Sequence, residues 1–175
     1  MPPRIGPYRA ALEEIGAALD ALDEGGFAAF VQAIASARRI ALYGVGREGL
    51  AIKGFAMRLF HLGLDVSMVG DMTTPPIGPG DLLVVSAGPG GFSTVNGLMG
   101  VARAAGARIA LVTANPGGSA ARRSVSVSRG KPTYIITTPD RNHRKNSRHV
   151  PMPSQRWPSR IQRLMRERFI VIHGL

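Results

Sequence analysis

"RIALYGVGREGLAIKGFAMRLFHLG", residues 39–63, decides the architecture. Residues 39–44 form a short apolar run that ends on glycine, the pattern of a parallel strand buried on both faces. Residues 50–63 place Leu50, Phe55, Met57, Leu59 and Leu62 among good helix formers, and Gly63 closes them as a C-cap. Between the two lies G-x-G-x-x-G, with glycines at Gly44, Gly46 and Gly49. Strand, glycine turn and helix in succession are the first two parts of a β–α–β unit.

The same alternation extends in both directions. "DVSMVG" (65–70), "DLLVVSAG" (81–88) and "RIALVTAN" (108–115) read as further strands. "STVNGLMGVARAAGA" (93–107) reads as a helix opened by Ser93 or Thr94, both good N-caps. Upstream, Leu12, Ile15, Leu19 and Leu22 recur at helical spacing over 8–24; Gly25 and Gly26 break the pattern, and a second helix fits 27–37. Such repeats with short loops predict right-handed crossovers and an α/β fold: a three-layer αβα sandwich around a parallel, flavodoxin-like sheet. Ligands in such folds bind beyond the carboxyl ends of the strands. Loops 44–49, 71–80, 86–93 and 114–119 therefore share one sheet edge.

A chain of 175 residues with 45% apolar content suits one domain with its own core. The absence of cysteine excludes disulfides and zinc–thiolate sites and fits a reducing compartment. Glu13, Glu14 and Asp20 interrupt the N-terminal stretch, which is not the pattern of a signal peptide. No run approaches the roughly 20 apolar residues of a membrane helix. The expectation is a soluble, cytoplasmic protein with no membrane partner. No metal site and no cofactor is read.

The net charge of +11 is unevenly placed. Nine of the 22 Lys and Arg and nine of the 11 Asp and Glu fall in residues 1–121, which are neutral. The other 13 cations stand against Asp140 and Glu167 alone. The chain thus reads as two compositional parts: 1–121, the α/β core, and 122–175, a basic and atypical segment, partly disordered by composition. Within the second part "TYIITT" (133–138) fits a strand and 159–175 a helix.

Two loops carry candidate chemistry. Glycines in "GVGREG" (44–49) let backbone approach an anion at a helix N-terminus; they serve tight strand–helix packing equally well. "SAGPGGFST" (86–94) offers the hydroxyls of Ser86, Ser93 and Thr94 and the amides of Gly88, Gly90 and Gly91; helix capping is the alternative use of Ser93 and Thr94. Two cradles after separate strands suit a small phosphorylated ligand better than a dinucleotide, which concentrates its phosphate contacts in the first turn. The dinucleotide reading keeps Asp71 as an acid near the end of the second strand. Thr73 and Thr74 lie in a stiff Pro-rich loop, as ligand contacts or as turn residues.

The stretch 41–90 resembles the sugar isomerase domain family, 6-phospho-3-hexuloisomerases in particular. The resemblance covers roughly 8–121 and is carried by G-V-G-R-x-G, by A-M-R-L-F-H-L-G and by V-G-D-x-T-T-P. It implies a five-stranded parallel sheet, a homo-oligomer (dimer or tetramer), a phosphorylated sugar as ligand, and interconversion of 3-hexulose 6-phosphate and fructose 6-phosphate through an enediol. Such a route needs a proton-transferring group and donors that hold an oxyanion. The expected ligand contacts are Gly46, Arg47, Ser86, Gly88, Gly90, Ser93 and Thr94, and His61 is the candidate for proton transfer. The family's pattern carries Ser where this chain has Glu48, and a Ser-Gly-Ser-Gly-x-Thr loop where this chain has Ser86-Ala87-Gly88-Pro89-Gly90-Gly91. It also carries a late carboxylate, with Gln162 at the loosely corresponding position here.

A non-catalytic sugar-phosphate-binding or regulatory module and a dinucleotide-binding protein are the alternative functions. For the basic segment, a change of reading frame ranks first, because composition shifts near Arg122 where the resemblance stops. A genuine extension ranks second, and a nucleic-acid arm third.

Overall fold

A strand that is apolar along its length must feed a core on each of its faces, and the three central strands do so. The computed structural model describes residues 6–20, 22–126, 133–137 and Ser159. The order of elements is α1 (Gly6–Asp20), α2 (Glu24–Ala35), β1 (Ile40–Gly44), α3 (Gly46–His61), β2 (Val66–Met68), β3 (Leu82–Ser86), α4 (Ser93–Ala104), β4 (Arg108–Thr113), α5 (Ser119–Ser126) and β5 (Thr133–Thr137). Five parallel strands pair in the order β2-β1-β3-β4-β5. This is the flavodoxin-like order, with the strand sequence reversing direction between β1 and β3.

Alternation along the strands builds two cores. Ile40, Leu42, Leu82, Val84 and Ala110 meet Phe30, Ala33 and Ile34 of α2 and Ile52, Ala56 and Leu59 of α3. Ala41, Leu83, Val85, Ile109 and Leu111 point the other way, onto Val95, Met99 and Ala102 of α4 and Ala120 and Ala121 of α5. Leu42, Leu82, Val84, Val85 and Leu111 are fully buried. Each such side chain contributes about 1.5–3 kcal/mol relative to exposure. The two-sided burial is the three-layer sandwich read from the sequence.

Among the described residues one buried side chain is charged, Asp81, just before β3. Its buried carboxylate accepts from Nε and an amino nitrogen of Arg38, at 3.0 and 3.1 Å, and from the Gly78 amide at 2.8 Å. Burial alone would raise its pKa. The Arg38 hydrogen bonds, the Gly78 amide and the charges of Arg38 and Arg39 outweigh burial and hold the group below its ordinary value of 3.8. The contact fastens the entries to β1 and β3 together.

Several expected boundaries move. Gly25 and Gly26 do not break the chain; they sit in the first turn of α2, because Asp23 caps that helix by accepting from the Gly26 amide at 2.6 Å. α3 begins at Gly46 instead of residue 50, so Gly46, Arg47 and Glu48 are helical. The N-cap of α4 is Phe92, with no side-chain cap, so neither Ser93 nor Thr94 is the cap. α5 is a helix that the sequence reading did not assign, and the expected 121/122 boundary falls inside it. β5 extends the same sheet at the place where "TYIITT" was read as a strand. The helix expected over 159–175 lies outside the described residues, apart from Ser159.

Candidate functional site

The first glycine loop is nearly all helix, and packing explains its glycines. A Cβ on Gly49 would stand 2.7 Å from the Gly44 carbonyl oxygen, and one on Gly44 would stand 3.0 Å from the Gly49 nitrogen. The two glycines let α3 turn back against the end of β1 with one residue, Val45, between strand and helix. Gly46, at φ +57, makes that turn. Gly46 and Arg47 are exposed on the first turn of α3, beside the sheet edge where β1 and β3 end.

Glu48 lies on the same turn, and its carboxylate reaches the second loop. Its Oε2 accepts from the Ser86 hydroxyl at 2.7 Å. The Gly88 amide donates to both carboxylate oxygens, at 3.1 and 3.0 Å. A Cβ on Gly88 would meet Glu48 Oε1 at 2.7 Å, and its three nearest atoms would all be those of the Glu48 side chain. Among the described residues no Lys or Arg pairs with this carboxylate. Its charge is met instead by a hydroxyl, a backbone amide and the positive end of its own helix. Glu48 takes these partners because Ser86 and Gly88 lie across the sheet edge within its reach.

The other expected contacts divide. Ser93 and Thr94 are exposed in the first turn of α4, their hydroxyls free of capping duty. Gly90 is buried, at φ +103, with Asn115 and the Gly118 Cα where its own Cβ would be. Its carbonyl accepts from the Ala120 amide. Gly90 thus joins the 86–94 loop to the 115–119 loop and does not face outward. Thr74 donates its hydroxyl to the Met68 carbonyl and closes the turn after β2, while Thr73 and Asp71 are exposed.

His61 is not brought to this edge. It is exposed in the last turn of α3, beside the Phe60 ring. Thirteen residues of helix separate it from Glu48, about 20 Å at 1.5 Å per residue.

Three polar residues of the edge escaped the sequence reading as individuals. Thr113 donates to the Ala87 carbonyl at 2.7 Å, fixing the cradle loop against β4. Asn115 donates to the Pro89 carbonyl at 3.4 Å, and Asn96 to the Ser119 hydroxyl at 3.3 Å. Their one signal was position: Thr113 ends β4, Asn115 follows it, and Asn96 lies in the first turn of α4.

The arrangement places two hydrogen-bond donors on one carboxylate. A hydroxyl at the end of β3 and an amide of the following loop converge on one negative group from the first turn of α3, and Ser93 and Thr94 open the helix that this loop enters. Among the described residues no group of acids and histidines has the makings of a metal site, and no helix is long and apolar enough to cross a membrane.

No family model matches the chain. Over 104 residues the chain is 41% identical to 3-hexulose-6-phosphate isomerase of Mycobacterium gastri, covering 59% of this chain and 52% of that protein. The chain spans about half the length of the curated relatives it matches. A hypothetical protein of Methanococcus jannaschii, whose crystal structure was taken to infer 3-hexulose-6-phosphate isomerase function, superposes with a TM-score of 0.57 at 24% identity, over 86% of this chain and 79% of that one. The sugar isomerase domain of an RpiR transcription factor from Sphaerobacter thermophilus superposes with a TM-score of 0.58 at 17% identity, over 79% of each chain. The fold is that of the sugar isomerase domain, in agreement with the motifs of 41–90.

Proposed function

We propose that the chain is a sugar-phosphate isomerase domain interconverting 3-hexulose 6-phosphate and fructose 6-phosphate. One observation carries the reading: the Ser86 hydroxyl and Gly88 amide already bind an anion, the Glu48 carboxylate, at the ligand-binding edge of the sheet. The 41% identity to a 3-hexulose-6-phosphate isomerase supports the choice of sugar. In this reading Ser86, Gly88, Ser93 and Thr94 hold the phosphate, and Gly46 and Arg47 border it from α3. Phosphate binding fixes one end of the sugar, so that a base can move a proton between adjacent carbons while nearby donors hold the oxyanion.

A second copy of the chain belongs to this proposal. Tyr8, Leu12, Ile15 and Leu19 recur at a seven-residue spacing along α1 and are 58–74% exposed. A lone 15-residue helix is marginal in water. A partner copy supplies the face it lacks. His61 moves the proton only if that copy carries it to the loop edge of its neighbour.

The test is an isomerase assay with 3-hexulose 6-phosphate, read as formation of fructose 6-phosphate. Turnover that disappears in S86A supports the reading; ligand binding without turnover replaces it with a non-catalytic sugar-phosphate-binding module. The observation favouring that second reading is Glu48 itself, a carboxylate seated where the phosphate has to go.

A further inference from the structure

We propose that Glu48 sets the ligand selectivity of the cradle by occupying it: a phosphate binds only in exchange for the chain's own carboxylate. The inference rests on the sugar-phosphate reading of this edge and adds a competitor to it. Ser86 has one hydroxyl proton and Gly88 one amide proton, and both are already given to Glu48. The space above the Gly88 Cα is filled by the same carboxylate. A phosphate oxygen taking either donor meets Glu48 within van der Waals distance, and among the described residues no Lys or Arg pairs with Glu48 to offset its charge. Glu48 must therefore rotate out toward solvent before a phosphate enters. It is half-buried on the first turn of α3, next to the exposed Gly46 and Arg47, so that route is open.

The exchange has a selective consequence. A dianionic phosphate must displace three hydrogen bonds and overcome a like charge, whereas the uncharged hydroxyls of a sugar bind without evicting anything. Glu48 thus penalises phosphate in particular. It also keeps the donors satisfied in the empty site, where unpaired ones would be costly.

The experiment compares wild type, E48S and E48Q by calorimetric titration with fructose 6-phosphate, inorganic phosphate and fructose. The serine variant opens the cradle and supplies a hydroxyl. The glutamine variant keeps the length and hydrogen-bonding oxygen of the side chain and removes its charge. E48S is expected to bind fructose 6-phosphate and inorganic phosphate about tenfold or more tightly than wild type, with E48Q between them and fructose unchanged. Equal affinity of all three proteins for fructose 6-phosphate overturns the role of Glu48 and leaves the site reading intact. No phosphate binding by any of them, with the variants folded by circular dichroism, overturns both. A gain that extends equally to fructose also overturns the proposal, since it reports loosening and not charge.

Discussion

Glu48 shows how one residue can be visible in sequence while its partners are not. In the sequence it is legible only as a carboxylate where the family's pattern carries Ser. Sequence order places Ser86 38 positions away, so nothing local could show that the hydroxyl and the Gly88 amide turn toward it. Ser86 and Gly88 were legible as donors, because a strand end followed by glycines exposes them. Gly90 was not legible as a packing residue, since its neighbours Asn115 and Gly118 come from another loop. Asp81 carries a prediction at this scale. Its pKa is lowered in the folded chain, so the native state holds the proton less tightly than the unfolded one. The resulting stability is complete above roughly pH 5 and is lost as pH falls through the folded-state value. Urea midpoints from pH 6 to pH 3 should fall more steeply for wild type than for D81N, and D81N should be less stable at pH 6 by about 1–3 kcal/mol. Parallel declines would contradict the assignment.

At the scale of elements, the strands were legible because burial on both faces forces continuous apolar runs. Their neighbours were less so. α3 starts four residues early, since the Gly44–Gly49 approach permits a one-residue turn, and α5 escaped because "SAARRSVS" shows little more than two buried alanines. Two glycines of α3 test the packing account with opposite signs. Gly49→Ala places a Cβ 2.7 Å from backbone and should cost about 1–3 kcal/mol. Gly54→Ala, exposed and with nothing within 4 Å of the added carbon, should stabilise by about 0.5–1 kcal/mol. Thermal unfolding of both variants checks the pair. On β3, Leu83→Ala removes a fully buried side chain between α4 and the sheet, and the expected loss in urea unfolding is about 2–5 kcal/mol.

For the whole molecule, the alternating pattern of the first 121 residues gave the fold class, while the compositional break near Arg122 did not coincide with a structural one. α5 spans it and β5 completes the sheet beyond it. Backbone pairing explains this: a parallel edge strand asks for spacing and β-formers such as "TYIIT", whatever the charge of the residues around it. Association is the property that belongs to this scale. Light scattering after size exclusion should give a mass that is a multiple of the chain's, and replacing Leu12, Ile15 and Leu19 together by serine should lower it. An unchanged mass would remove α1 from the interface.

The central claim, that the β1–β3 edge is a sugar-phosphate site, is tested most directly by thermal unfolding of wild type and S86A with fructose 6-phosphate raised to about 10 mM. At one hundred times Kd a ligand adds about 2.7 kcal/mol to stability. The account predicts a Tm that climbs with ligand in wild type and stays flat in S86A. A flat wild-type Tm, or an equal climb in both proteins, would contradict it.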